Sequence, residues 1–353
     1  MRRRELLQLT GAALLGVPLL SAEAPQNLSS PLQTIAGTST TPDLLFVRDH
    51  FKEPDVSLEK WSLRIEGAVQ KPYQLGFADL VELPSLKLEA VLECAGNVAN
   101  GSAVSSGLWE GVGLAALLEA AHPDADAVAV LLEGADSGRL FDDCPALPYS
   151  QIVPLTKCND AESLVAYKYN ELALPKRNGF PARALFPGWY GMNSVKWLSR
   201  IRLLRESDRE TTFHQSGMNR LYNRVTQNDG AEQITRLSGI QLKSVLAWPT
   251  NQLKLPAGRH LVWGFAWSGA NAIRKVNVSS DRGETWSEAK LDSAANGRGW
   301  VRWSYPWLAT PGDHILMSRA SDSNGNQQPL QRDPTRKDAY ELNWCSPVHC
   351  SVL

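Results

Sequence analysis

Leu86-Lys-Leu-Glu-Ala-Val-Leu-Glu-Cys-Ala-Gly-Asn97 is the stretch on which the reading of the fold turns. From Leu86 to Glu93 apolar and polar residues alternate, the period of a half-buried strand. The strand delivers Cys94 at its end, beside a turn at Gly96. Glycine has no Cβ, so a backbone there can approach a ligand closely. A thiolate in that position is a soft metal ligand.

Around this stretch, the chain from Leu44 mixes strands and helices without regular alternation, an α+β pattern. Trp61–Gly67 alternates as a strand, and Gly76–Pro84 has a short helical stretch that Pro84 stops. Val112–Ala121 has helical spacing. Ala127–Glu133, Leu164–Asn170, Ala182–Phe186 and Val195–Leu204 are strand candidates. Residues 42–205 are expected as one domain, and the polar residues 206–240 as a linker. Beyond Lys243 the pattern changes to short strand-like runs: His260–Ser268, Ile273–Asp281, Trp300–Trp307, His314–Asp322 and Val348–Leu353. Turn residues such as Pro256-Ala-Gly258 separate many of them, which predicts an all-β sandwich over 241–353. Eight of the 12 tryptophans lie between Trp248 and Trp344, so the two halves differ in composition as well.

The 353 residues fit two domains, or three. With 36 Lys+Arg against 37 Asp+Glu the chain lacks the excess of cations that a nucleic-acid coat needs. No apolar run reaches the ~18 residues of a membrane span. Residues 1–24 read as an export signal: Arg2-Arg3-Arg4, an apolar stretch from Leu6 to Leu20, then Ala22-Glu23-Ala24 as a small-x-small cleavage site. Arg3-Arg4-Glu5-Leu6-Leu7 resembles the twin-arginine motif, which predicts export of a folded protein to the periplasm. Residues 25–41, rich in Ser, Thr, Pro and Gln, are expected as a flexible leader. There are five cysteines. Cys345 with Cys350, and Cys144 with Cys158, are possible pairs that would leave Cys94 alone, though four cysteines allow three connectivities.

Four clusters of the first domain supply chemistry: Phe46-Val-Arg-Asp-His50, Leu92-Glu-Cys-Ala-Gly-Asn97, Asn178-Gly-Phe-Pro-Ala-Arg183 and Pro187–Trp197. They combine the Cys94 thiol with the cations Arg48, His50, Arg183 and Lys196. Positive side chains hold a thiol deprotonated and bind anions such as phosphate.

Taken in order, these clusters resemble the sulfite oxidase family of molybdopterin enzymes, from about Leu44 to Leu353. Gly264-Phe-Ala-Trp-Ser-Gly269, Val276–Trp286 and Arg319–Pro329 resemble that family's immunoglobulin-like dimerisation domain. The resemblance implies a molybdopterin cofactor with Cys94 as the metal ligand. Phe46, Arg48, His50, Asp136, Asn178, Arg183, Lys196 and backbone groups of Ser194 and Val195 would hold the pterin. Arg48 would contact an oxoanion substrate, and Tyr222, in Asn219-Arg-Leu-Tyr222, is the candidate active-site tyrosine. The implied reaction is oxidation of sulfite to sulfate by a homodimer, with electrons passed to a c-type cytochrome or similar acceptor.

The sequence departs from the family where the substrate binds. Val98 and Ala99 stand where sulfite oxidases carry two arginines, and Asn178 stands where animal and plant members have histidine. Arg220 is a possible replacement cation. These departures leave open a molybdopterin enzyme of different substrate, reducing an S-oxide or N-oxide. They also leave open an exported binding protein that has lost its cofactor, although Cys94, Arg183 and Lys196 are all kept.

Overall fold

The computed structural model describes residues 25–143, 145–216, 221–228, 230–292 and 298–353. The expected export signal, Cys144 and Arg220 lie outside the described residues. None of the described helices is long and apolar enough to cross a membrane.

The first domain packs two five-stranded sheets face to face. One runs in the order Tyr73–Gly76, Ser62–Gly67, Leu198–Arg205, Ala127–Gly138 and Leu147–Pro154. Leu63 and Ile65 are fully buried and Arg64 between them is exposed, as a period of two requires. Gly67 ends that strand at φ +94°, and a Cβ there would lie 2.2 Å from the Leu203 carbonyl oxygen, so only glycine fits. The other sheet joins Ser85–Glu93, Val104–Gly113, Leu164–Tyr169 and Leu172–Ala173, with Arg183–Leu185 also pairing with Leu164–Tyr169. Leu63, Ile201 and Leu203 of one sheet and Val112, Val165 and Tyr167 of the other share one core. The helix Phe77–Glu82 starts where the Asp79 carboxylate accepts the Gly76 N–H at 2.8 Å, and it ends before Pro84.

The second domain is the expected sandwich. Lys243–Trp248, Gly258–Trp267, Val301–Ala309 and Lys290–Leu291 form one sheet. Leu253–Leu255, Val348–Val352, Gly312–Asp322, Ile273–Ser279 and Ser287–Glu288 form the other. Val262, Ala266, Val276, Trp303, Leu316 and Ala320 fill the space between them. The few helices and the two sheet-built halves agree with the expected mixed first domain followed by an all-β second domain.

Two expectations change. Residues 25–41 are an ordered part of the first domain, because Leu32 and Ile35 are buried and Asn27–Leu28 pairs with Val47–Arg48. Residues 206–240 hold the helix Glu206–Ser216 and the hairpin Asn223–Asn228/Ala231–Arg236. Their polarity reflects one-sided packing: the hairpin strand Ala231–Arg236 is exposed over most of its length. Cys158, Cys345 and Cys350 are free, buried thiols, so no bond joins Cys345 to Cys350. Cys350 sits in a strand whose side chains pack into the sandwich core.

Candidate active site

The strand Ser85–Glu93 runs antiparallel to Val104–Gly113, with Glu93 opposite Val104. Its ladder continues one residue further, where the Cys94 N–H donates to the Ala103 carbonyl at 2.9 Å. The Asn97 N–H then donates to the Cys94 carbonyl at 2.9 Å and closes a tight turn. Cys94 therefore stands on a rigid strand end, and it lines a cavity of the first domain. Burial pushes the Cys94 thiol up; the Gly96 N–H, Arg48 and Lys243 oppose that shift, and Glu93 adds to it.

All the other predicted site residues but one line the same cavity. Phe46, Arg48 and His50 arrive on the short strand Val47–Arg48 and the turn after it. Arg48 is exposed and donates to Asn27 Oδ1 and the Asp49 carbonyl, each at 2.7 Å. His50 stacks on Tyr149 with ring centroids 4.6 Å apart and hydrogen-bonds the Tyr222 hydroxyl through Nε2. Burial, then Arg48 and Lys196, lower the His50 pKa to about 3, so its ring is neutral.

Arg183 is buried, with Nη1 donating to the Asn178 carbonyl at 2.9 Å and Nη2 to the Ser194 carbonyl at 2.8 Å. Burial lowers its pKa to about 10. Lys196 pairs with the buried carboxylate of Asp49 and donates to the Arg177 carbonyl at 2.9 Å. Burial raises the Asp136 pKa to about 6. Asn178 donates to the Phe46 carbonyl at 3.1 Å, tying the first and third clusters together.

Val195 is the exception. Its side chain lies in the core, its N–H donates to the Asn193 carbonyl at 3.0 Å, and its carbonyl accepts from Ala184 at 2.9 Å. Both polar groups are thus engaged within the chain, and the expected pterin contact at Val195 is not available from its N–H. Sequence reasoning missed Tyr149 and Met192, which also line the cavity. Tyr149 lies in the strand Leu147–Pro154, where it looks like any buried aromatic; only the fold brings it onto His50.

Three buried polar atoms of this cavity have no partner: Asp136 Oδ1, Asn178 Oδ1 and Arg183 Nε. Buried groups without a partner cost about 1–3 kcal/mol each. Their convergence with Cys94 suits a large polar group that carries its own donors and acceptors. The donor set fits a pterin bearing a thiolate-bound metal: one soft sulfur, the buried Arg183 and half-buried Lys196 cations, and amide and carboxylate groups for a heterocycle.

Known proteins bear this out. Residues 50–213 match the oxidoreductase molybdopterin binding domain, and residues 235–337 the Mo-co oxidoreductase dimerisation domain. The protein is a molybdopterin-dependent oxidoreductase. It is 29% identical over 340 residues to sulfite oxidase of Gallus gallus, covering 88% of this chain and 72% of that protein. It is 27% identical over 342 residues to mitochondrial sulfite oxidase of Homo sapiens, covering 88% and 61%. It is also 27% identical over 406 residues to the NADPH nitrate reductase of Fusarium oxysporum, covering 94% and 44%. Its fold matches the sulfane dehydrogenase SoxCD of Paracoccus pantotrophus with a TM-score of 0.80 at 25% identity, over 96% of this chain and 92% of that one. The chain belongs to the sulfite oxidase family.

Proposed function

We propose that the enzyme oxidises sulfite to sulfate in the periplasm, after twin-arginine export, and passes the electrons to a c-type cytochrome. The observation that carries this reading is the cavity in which Cys94 meets Arg48, Arg183, Lys196 and the three unpartnered polar atoms. Sulfite gains one oxygen from water and releases two electrons and two protons. The bound molybdopterin supplies the two-electron redox chemistry.

In this reading Cys94 holds the metal through its thiolate. Arg183, Lys196, Asn178 and Asp136 hold the pterin and its phosphate. Asp49 keeps Lys196 charged against the cost of burial, since its carboxylate pairs directly with the ammonium. Arg48, at the exposed rim, draws in and orients the oxoanion. Tyr222 keeps its proton, because burial holds its pKa well above the usual phenol value. Its hydroxyl and the neutral His50 ring share a hydrogen bond, which orients the hydroxyl within the cavity.

One observation favours a second reading. Val98 is exposed and Ala99 is buried on the loop after Cys94, where sulfite oxidases carry arginines. Fewer guanidinium groups favour a less charged sulfur substrate, such as the sulfane of the sulfane dehydrogenase SoxCD. Steady-state reduction of ferricytochrome c by the metal-replete enzyme separates the two. Sulfite-dependent reduction is expected; turnover with a sulfane compound and none with sulfite replaces the first reading by the second.

A further inference from the structure

Glu93 and Cys94 are neighbours on one strand, so their side chains point to opposite faces. Cys94 faces the cavity. Glu93 faces the second domain, where Lys243 Nζ lies 3.1 Å from its Oε1 and Trp267 Nε1 donates to its Oε2 at 2.8 Å. Lys243 and Trp267 are a cross-strand pair, so one register of the second domain supplies both partners. Both charged side chains are only 2% exposed. Lys243 Nζ also donates to the carbonyls of Val98 at 2.8 Å and Asn97 at 3.4 Å. Three residues further along the same strand, the Leu246 N–H donates to Asn100 Oδ1 at 2.9 Å. Asn97 completes the set by donating to Glu93 Oε1 at 2.9 Å and accepting the Ala103 N–H at 3.1 Å. The whole turn from Glu93 to Ala103 is therefore gripped from the second domain.

Stability alone does not account for this arrangement. A buried ion pair often gains no more than a well-packed apolar pair of similar volume. What it adds is a fixed direction and two opposite charges beside the Cys94 strand end. Groups outside the ligand shell orient ligands and tune the metal they hold.

We propose that Lys243 is a positioning residue of the active site: through Glu93 and the Asn97–Val98 carbonyls, the second domain sets where the Cys94 sulfur stands. The proposal rests on Cys94 as the metal ligand. The molybdenum contents of the wild type and of Cys94→Ser decide that point separately.

Glu93→Gln, Lys243→Met and the double variant test the clamp in the full chain. In metal-free protein, peptide-resolved labelling by a small thiol reagent reads the position of Cys94 without any cofactor. Labelling of Cys94 should quicken severalfold in the double variant, whose melting temperature stays close to wild type because no charge is left unpaired. In loaded enzyme the metal's reduction potential, followed by electron paramagnetic resonance, should rise in Glu93→Gln and fall in Lys243→Met. Lys243→Arg should keep wild-type labelling. A double variant with wild-type labelling and wild-type potential overturns the proposal, whatever the single variants do to folding.

Discussion

The backbone N–H of Glu341 donates to the carbonyl of Ala95 at 2.9 Å, one residue past Cys94. A segment near the carboxyl end of the second domain thus reaches the Cys94 turn, and it is itself held beside the start of Lys243's strand, where Asn343 donates to the Leu242 carbonyl at 3.2 Å. Glu341 is 2% exposed at its side chain and accepts from Arg224 Nε at 2.7 Å and Nη2 at 2.9 Å, with Arg336 Nη1 3.2 Å away. The fork holds Tyr340 with its ring 5.6 Å from that of Tyr222. The hairpin that carries Arg224, the second domain and the cavity wall meet at this point.

Glu341→Ala removes the acceptor shared by two arginines. It should lower stability by about 2 kcal/mol, since Arg224 is partly solvated and keeps some of its hydration. Activity should fall further than stability explains, because Tyr222 loses the ring packed against it. Urea unfolding and kcat/KM on the same preparation check both halves.

Cys94→Ser exchanges a soft ligand for a hard one. Turnover should drop by more than about a hundredfold, beyond what changes outside the ligand shell cost. Elemental analysis together with a steady-state assay reads it, and wild-type turnover in the serine variant would place the ligand elsewhere.

Arg48→Gln removes the guanidinium at the rim of the cavity. For sulfite, KM should rise about ten- to hundredfold, the worth of one hydrogen bond to a charged group, with kcat changed less. An unchanged KM would mean that the oxoanion binds on another side of the site.

His50 gives the metal-free protein a pH signature. Below about pH 6.5 the unfolded chain takes up a proton that the folded chain refuses until about pH 3. The unfolded state then binds more protons, so stability falls as pH falls, by up to about 1.4 kcal/mol per pH unit. In His50→Gln the fall between about pH 6.5 and 4 should be shallower. Urea midpoints across that range measure it, and parallel slopes would show that the ring accepts protons in the fold.

The match to a dimerisation domain over residues 235–337 leads to the expectation of a homodimer. Leu261 and Leu308 are exposed apolar side chains on neighbouring strands of that domain. Light scattering at micromolar concentration should return twice the 38.8 kDa chain mass. Mass of a single chain would refute the dimer.

Much of this architecture is legible in local pattern. Alternation in Trp61–Gly67 marks a strand, because one face is buried and the other is not. Leu86–Glu93 is also a strand, but its burial runs lengthwise: its start is exposed and Ala90 to Glu93 are buried on both faces. Val104–Gly113 escapes that reading: it is buried on both faces and rich in Ser and Gly, so it shows no period. The leader at 25–41 and the segment 206–240 read as polar and unstructured for a related reason. A few buried contacts, Leu32 and Ile35 in one and Leu237 and Ile240 in the other, order each segment, and composition averages them away.

At the active site the division is sharper. Cys94, Arg48, His50, Arg183 and Lys196 are chemically distinctive, and their clusters carry the family in their order along the chain, so the sequence by itself determined the cofactor and its ligands' identities as expectations. Tertiary structure alone decided what surrounds them. Tyr149 reaches His50 across 99 residues of sequence, Lys243 reaches Glu93 across 150, and Glu341 reaches Ala95 by a backbone bond that no side-chain pattern encodes. The physical reason is that a motif records a residue's own chemistry. The field and the walls around that residue come from packing between distant segments, where burial decides which charge is paired and which polar atom is left waiting for a ligand.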